Sequence, residues 1–167
     1  RVLEPGWTVY DKTCLYSAYD VTEQLQTGEN RIGVLLGDGM YNVPGGRYVY
    51  FERTHGKMKL LAELRITLEN GEKRRITTDE SWETTQSPLT FSCIYGGEDF
   101  DGRLWEPDFT LPEFQSNATW EQATVVPAPK GELVAQSTYP LKVKETYAAV
   151  EIKEVGKGQF LYDFGTN

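Results

Sequence analysis

The chain has 167 residues, enough for one domain plus a small extension, and enough to bury a core without disulfide or metal staples. With 17 basic against 25 acidic side chains its formal charge is −8, and no basic stripe interrupts that field, which argues against nucleic acid and anionic membranes as partners. No run approaches the roughly 20 apolar residues of a membrane span.

Strand patterns dominate the chain. Leu15, Ser17, Tyr19 and Val21 alternate with Tyr16, Ala18 and Asp20, a period of two. A turn of helix is expected at Val21–Gln26, capped by Asp20 or Thr22 and ended by Gly28. In Arg31–Gly37 the residues Ile32, Val34 and Leu36 point one way, as in a strand. The clearest local signal is a hairpin. Ala62, Leu64, Ile66 and Leu68 alternate with polar residues, and Asn70-Gly71 suits both centres of a type I′ turn before Glu72–Thr78 returns. Trp82 follows a turn at Asp79-Glu80-Ser81 and anchors the next stretch. Leu89–Tyr95 reads as a strand broken by Gly96-Gly97.

From Asp101 to Trp120 the chain is irregular and aromatic, the character of a loop pinned across the end of a sandwich. Pro127-Ala128-Pro129-Lys130-Gly131 is the best linker candidate. It divides a sandwich over 1–128 from a linker and β extension over 129–167. In that extension Glu145–Val155 and Gln159–Phe164 read as strands around Gly156-Lys157-Gly158. The expected class is all-β, a sandwich or jelly roll, because short strands recur with turns between them and long helical periodicity is absent. Arg1 and Asn167 both look like cut ends of a longer protein.

Two glycine-rich loops could carry chemistry. The first is Leu36-Gly37-Asp38-Gly39-Met40-Tyr41-Asn42-Val43-Pro44-Gly45-Gly46. Asp38 and Asn42 are hard oxygen donors suited to calcium or to sugar hydroxyls, with Tyr41 as a stacking platform; the simpler reading is a turn held by an Asx bond. The second is Tyr95-Gly96-Gly97-Glu98-Asp99-Phe100-Asp101-Gly102-Arg103. Three acids in four residues repel unless a cation is near. Arg103 could pair with Glu98 or Asp101, and calcium is the other answer. The metal candidates are therefore Asp38, Asn42, Glu98 and Asp101. The ligand candidates add Tyr41 and Arg103. No EF-hand spacing or phosphate loop is present.

His55, the single histidine, sits in a polar loop and is expected in solvent, so no zinc site or serine or cysteine triad can be built in the usual way. Cys14 and Cys93 are expected as free thiols, with a disulfide the alternative in an oxidising compartment. Asn117-Ala118-Thr119 matches the N-glycosylation tripeptide, a motif short enough to arise by chance.

Several runs, in order, resemble the N-terminal domain of bacterial α-L-rhamnosidases of glycoside hydrolase family 78. They are Pro5-Gly6-Trp7, Tyr19-Asp20-Val21-Thr22, Gly28-Glu29-Asn30, and Leu35-Leu36-Gly37-Asp38-Gly39-Met40-Tyr41. They continue with Thr78-Asp79-Glu80-Ser81-Trp82, Gly97–Arg103, Ala128–Gln136 and Tyr162-Asp163-Phe164-Gly165-Thr166-Asn167. Against the family pattern, Met40 replaces Trp, Phe100 replaces Tyr, Gly102 replaces Ala and Thr166 replaces Gln. Loss of the indole at Met40 removes one sugar-stacking surface.

The resemblance implies a jelly-roll, galactose-binding-like antiparallel β-sandwich with a short C-terminal β extension, placed before an (α/α)6 barrel that holds the catalytic acids. It implies a parent enzyme that hydrolyses terminal α-L-rhamnose with inversion. Some relatives of this domain resemble modules that hold rhamnose through calcium. The expected role is thus a non-catalytic accessory domain that recognises rhamnose-containing carbohydrate. The alternative is a structural scaffold that packs on the barrel and the parent's other domains. A periplasmic or secreted location is expected from how such enzymes are used, with the cytoplasm as the alternative.

Overall fold

The structure is a computed structural model that describes residues 3–45, 47 and 52–165. Gly46 of the first loop and Thr166-Asn167 of the last motif lie outside them. The all-β class expected from the sequence holds. Among the described residues the only helical pieces are two 3-10 turns, Thr22–Gln24 and Gly102–Leu104. None is long and apolar enough to cross a membrane.

Two compact units are present. The larger is Gly6–Gln136; the smaller combines Arg1–Pro5 with Ser137–Asn167. The division falls after Gln136, downstream of the 128/129 boundary read from the sequence. Pro127–Gly131 therefore lies inside the larger unit.

In the larger unit, β1 (Thr13–Tyr16) pairs in parallel with β10 (Glu132–Ala135), a ladder that joins its two ends. Gly6 N and Gln136 Oε1 extend that join with a 2.7 Å bond. β1 is shorter than the alternation from Leu15 to Val21 suggested. Its partner is only four residues long, and Gln136 N closes the ladder on Tyr16 O. Asp20 instead accepts from the backbone and hydroxyl of Thr22, so the helical turn shrinks to Thr22–Gln24.

β2 (Asn42–Val43) pairs with β3 (Arg53–Thr54), and β4 (Glu63–Thr67) with β5 (Lys73–Thr77), both antiparallel. In β4 Leu64 and Ile66 alternate inward while Glu63, Arg65 and Thr67 stay exposed. Arg65 stands opposite Arg75, and Glu63 relieves their repulsion by accepting from both guanidinium groups.

The β4–β5 turn corrects the type I′ expectation. Gly71 N donates to Leu68 O at 2.8 Å, so Glu69 and Asn70 are the turn's centre. Gly71 alone takes a positive φ, 82°. Asn70 keeps an ordinary φ, and its Oδ1 accepts from Glu72 N at 2.9 Å. This is the three-residue loop with a glycine bulge that an Asn-Gly pair also satisfies.

β6 (Glu83–Thr84) pairs with β9 (Glu121–Gln122), and Ala123 N donates to Trp82 O at 2.7 Å. β7 (Leu89–Cys93) and β8 (Gly97–Phe100) form an antiparallel hairpin around Gly96-Gly97. Glu106 pins the aromatic loop: it accepts from Ser116 Oγ at 2.5 Å and Asn117 N at 2.8 Å. Ser116 Oγ in turn accepts from Trp120 Nε1 at 2.8 Å.

Arg31–Gly37 forms no ladder, contrary to the strand expectation. Arg31 spends its guanidinium on the Phe114 and Pro112 carbonyls, at 3.1 and 2.9 Å. Gly33 lies so close to the Phe109 ring that no Cβ would fit. Among the described residues the buried positions are Val43, Pro88, Cys93 and Gly131. Cys14 and Cys93 are both free thiols.

The smaller unit carries β11 (Glu151–Gly156) and β12 (Gln159–Asp163), an antiparallel hairpin that turns at Gly158, φ 70°.

Candidate functional site

The first loop folds on Asp38. Asn42 N donates to Asp38 O at 3.1 Å, and Asn42 Nδ2 donates to Asp38 Oδ1 at 2.7 Å. Gly39 takes φ 52° at the tip, a conformation most side chains avoid. The bonds close the loop and start β2, so Asp38 and Asn42 hold one another.

Tyr41 is not a free platform. Its ring centroid lies 5.2 Å from Tyr10 and 5.4 Å from His55, and Tyr10 lies 5.1 Å from His55. His55 N donates to Tyr41 O at 3.0 Å, and Tyr41 Oη donates to His55 O at 3.1 Å. The histidine expected in solvent is thus half-buried in a three-ring cluster. Burial, then Cys14 and Tyr41, pushes the Tyr10 hydroxyl above the usual tyrosine range.

The second loop is in part a strand. Glu98 and Asp99 sit on β8 and so point to opposite faces. Asp99 receives both terminal nitrogens of Arg47, Nη1 at 2.8 Å. The Arg47 guanidinium also lies 4.6 Å from the centre of the Phe91 ring, and Phe91 is Asp99's register partner on β7. The Arg47 bond holds Asp99 below the usual carboxylate range. Arg47 was not singled out from the sequence, because its partner is 52 residues away.

Asp101 begins the 3-10 turn Gly102–Leu104. Its Oδ1 accepts from Arg103 N at 3.0 Å and from Arg103 Nε at 2.8 Å, while Oδ2 accepts from Nη2 at 2.5 Å. Of the two acids open to Arg103 in the sequence, the structure selects Asp101. The side-chain bond to Arg103, followed by the Arg103 backbone N–H, lowers the Asp101 pKa from 3.8 to about 2. The folded-state pKa is depressed, so this contribution to stability is complete above the unfolded value and is lost as pH falls through about 2. In an NMR titration, Arg103→Gln is expected to return the Asp101 carboxyl toward about 3.9. An unchanged low value in the variant would refute the pairing.

The two loops meet. A Cβ on Gly37 would lie 3.5 Å from Ser92 Oγ, and Ser92 is the register partner of Glu98. Arg47, just past the first loop, bonds Asp99 in the second. The Asp38 segment therefore runs beside β7–β8, with Glu98 exposed and without an ion pair among the described residues. Asp101 and Arg103 satisfy each other.

Calcium fits this donor set poorly. Both Asp101 oxygens are taken by Arg103, Asp38 Oδ1 is taken by Asn42, and no three His, Cys, Asp or Glu side chains cluster for a shared ion among the described residues.

Fold and loops together define an all-β sandwich domain in which two polar, ion-paired loops meet. A family model described as the α-L-rhamnosidase N-terminal domain matches residues 1–145, and the chain belongs to that family. It is 29% identical to an α-L-rhamnosidase of Formosa agariphila, covering 100% of this chain and 18% of the relative. Against an α-L-rhamnosidase of Alteromonas sp. the identity is 30%, over 99% of this chain and 18% of the relative. The solved structure of α-L-rhamnosidase from Dictyoglumus thermophilum matches 100% of this chain and 18% of its own, with TM-score 0.72 and 35% identity. The chain thus spans under a fifth of the length of these relatives.

Proposed function

We propose that this chain is a non-catalytic accessory domain of an α-L-rhamnosidase, and that its loop rim recognises rhamnose-containing carbohydrate. The observation that carries the reading is the convergence of two sequence-distant polar loops, tied by Arg47–Asp99 and by the approach of Gly37 to Ser92. Glu98, Asp38, Asn42 and the Ser92 hydroxyl supply acceptors and donors for sugar hydroxyls there. The bond-breaking acids belong to the rest of the parent enzyme, an (α/α)6 barrel in the family that the sequence resembles. Glycosidases need one carboxyl group held protonated. Asp99 and Asp101 are held ionised by arginines, the opposite condition.

Calorimetric titration with L-rhamnose tests the reading. Saturable heat at millimolar sugar is expected, weakened by Glu98→Gln and unchanged by chelator. Absence of heat at that concentration would remove sugar recognition.

A second reading has its own observation. Large apolar side chains such as Trp7, Leu61 and Val125 stand 62–65% exposed. Such surface fits a scaffold that packs on neighbouring domains of the parent. It would account for the domain if calorimetry is silent.

A further inference from the structure

The polar face of the β4–β5 hairpin concentrates positive charge in an acidic chain. The register pairs Glu63 with Thr77, Arg65 with Arg75 and Thr67 with Lys73, and side chains paired in this way lie on one face. Three cations there meet one carboxylate, although the whole chain carries −8. On the opposite face Arg74 bonds the Glu72 carboxylate at 2.8 Å.

Like charges directly opposite each other destabilise a ladder. Glu63 moderates the repulsion on separate oxygens: Oε1 accepts from Arg65 Nε and Oε2 from Arg75 Nε. The Arg65 bond, ahead of the Arg75 bond, holds the Glu63 carboxyl below its usual range. One carboxylate thus clamps two arginines by their inner nitrogens. Their outer Nη nitrogens have no hydrogen-bond partner among the described residues of the larger unit. Lys73, exposed on β5, lies about 7 Å further along the strand from Arg75, two residues of rise. A guanidinium fork matches a planar carboxylate with two parallel N–H donors. Two forks held side by side by a shared acid are preorganised for such a group. The −8 field disfavours a dense polyanion and leaves an isolated carboxylate on an otherwise neutral chain as the fitting anion.

We propose that this face binds the carboxylate of a hexuronic acid residue in the carbohydrate that the parent enzyme meets. Arg65 and Arg75 donate to it through their Nη groups, and Lys73 raises the local potential. The site is separate from the two loops. The inference rests on the reading of this chain as part of an α-L-rhamnosidase, and not on sugar recognition by Asp38, Asn42 or Glu98.

Calorimetric titration of the full-length polypeptide with a galacturonic acid trimer, and with its neutral methyl ester, tests it. The trimer contains no rhamnose, so a rhamnosidase leaves it intact. Saturable heat is expected from the acid, reduced by added salt, and none from the ester. Replacing both arginines, Arg65→Gln with Arg75→Gln, should weaken binding about tenfold or more. That pair of changes also removes the repulsion across the ladder, so the variant should fold, and a urea midpoint no lower than wild type checks that it does. Arg74→Gln with Lys153→Gln removes the same charge elsewhere and should leave the affinity unchanged. Silence from the acid, equal heat from the ester, or an equal loss in both double variants would overturn the proposal. So would binding that survives in the Arg65 and Arg75 variant, which would place the trimer elsewhere. Binding by the 167-residue chain but not by the full-length polypeptide would also overturn it, because another part of the polypeptide would then be the occupant. Rhamnoside turnover by the full-length sample reports separately on the enzyme reading, so the two ideas can fail independently.

Discussion

Gly131→Ala is expected to lower the stability of the larger unit by about 2–3 kcal/mol, the cost of forcing atoms into a filled site. A Cβ there would enter the envelope of the Tyr10 carbonyl oxygen and lie 2.7 Å from Thr13 N and 2.9 Å from the Lys12 carbonyl carbon. All three are backbone atoms at the start of β1, so no side chain can swing aside. The neighbouring Glu132 N donates to Lys12 O at 2.9 Å and holds β10 in this position. Gly131 has no positive φ, so lack of space, and not backbone strain, sets the effect. Gly102→Ala is the control. Nothing lies within 4 Å of its Cβ position and its φ is ordinary, so the change should be neutral or stabilise by about 0.4–1 kcal/mol. Urea unfolding followed by circular dichroism compares the two. A Gly131→Ala midpoint equal to wild type would show that β1 and β10 do not approach this closely.

What the sequence made legible follows the range of each interaction. The β4–β5 hairpin needs only alternation and a glycine, both local, and it forms where expected. Its turn type is not legible, because Asn-Gly satisfies two loops and the choice rests on an Asn70 side-chain bond that spacing does not reveal. β1 overran in the reading because its length is set by β10, a partner more than a hundred residues away. Arg31–Gly37 has the right alternation but no strand beside it; carbonyls and a ring of the aromatic loop occupy it instead.

The site divides the same way. Asp101–Arg103 is a contact between residues two apart and was within reach of the sequence. Arg47–Asp99 and the Tyr10–Tyr41–His55 cluster join distant segments. A lone histidine between polar neighbours gave no hint of two tyrosines closing around it. The family pattern carried the most, because an ordered set of weak motifs is specific where each motif alone is not.

The proposed division, with carbohydrate recognition in this domain and bond cleavage in the rest of the parent enzyme, has an all-or-none consequence. Asp99 and Asp101 are each tied to an arginine, and the Arg103 bond holds the Asp101 carboxyl pKa at about 2, the opposite of the protonated carboxyl that a glycosidase's acid needs. Hydrolysis of an aryl α-L-rhamnoside, followed side by side for the full-length polypeptide and for these 167 residues, tests it most directly. Turnover by the long protein and none above background by the short one is the expected result. Turnover by the short chain that Glu98→Gln or Asp101→Asn abolishes would contradict it.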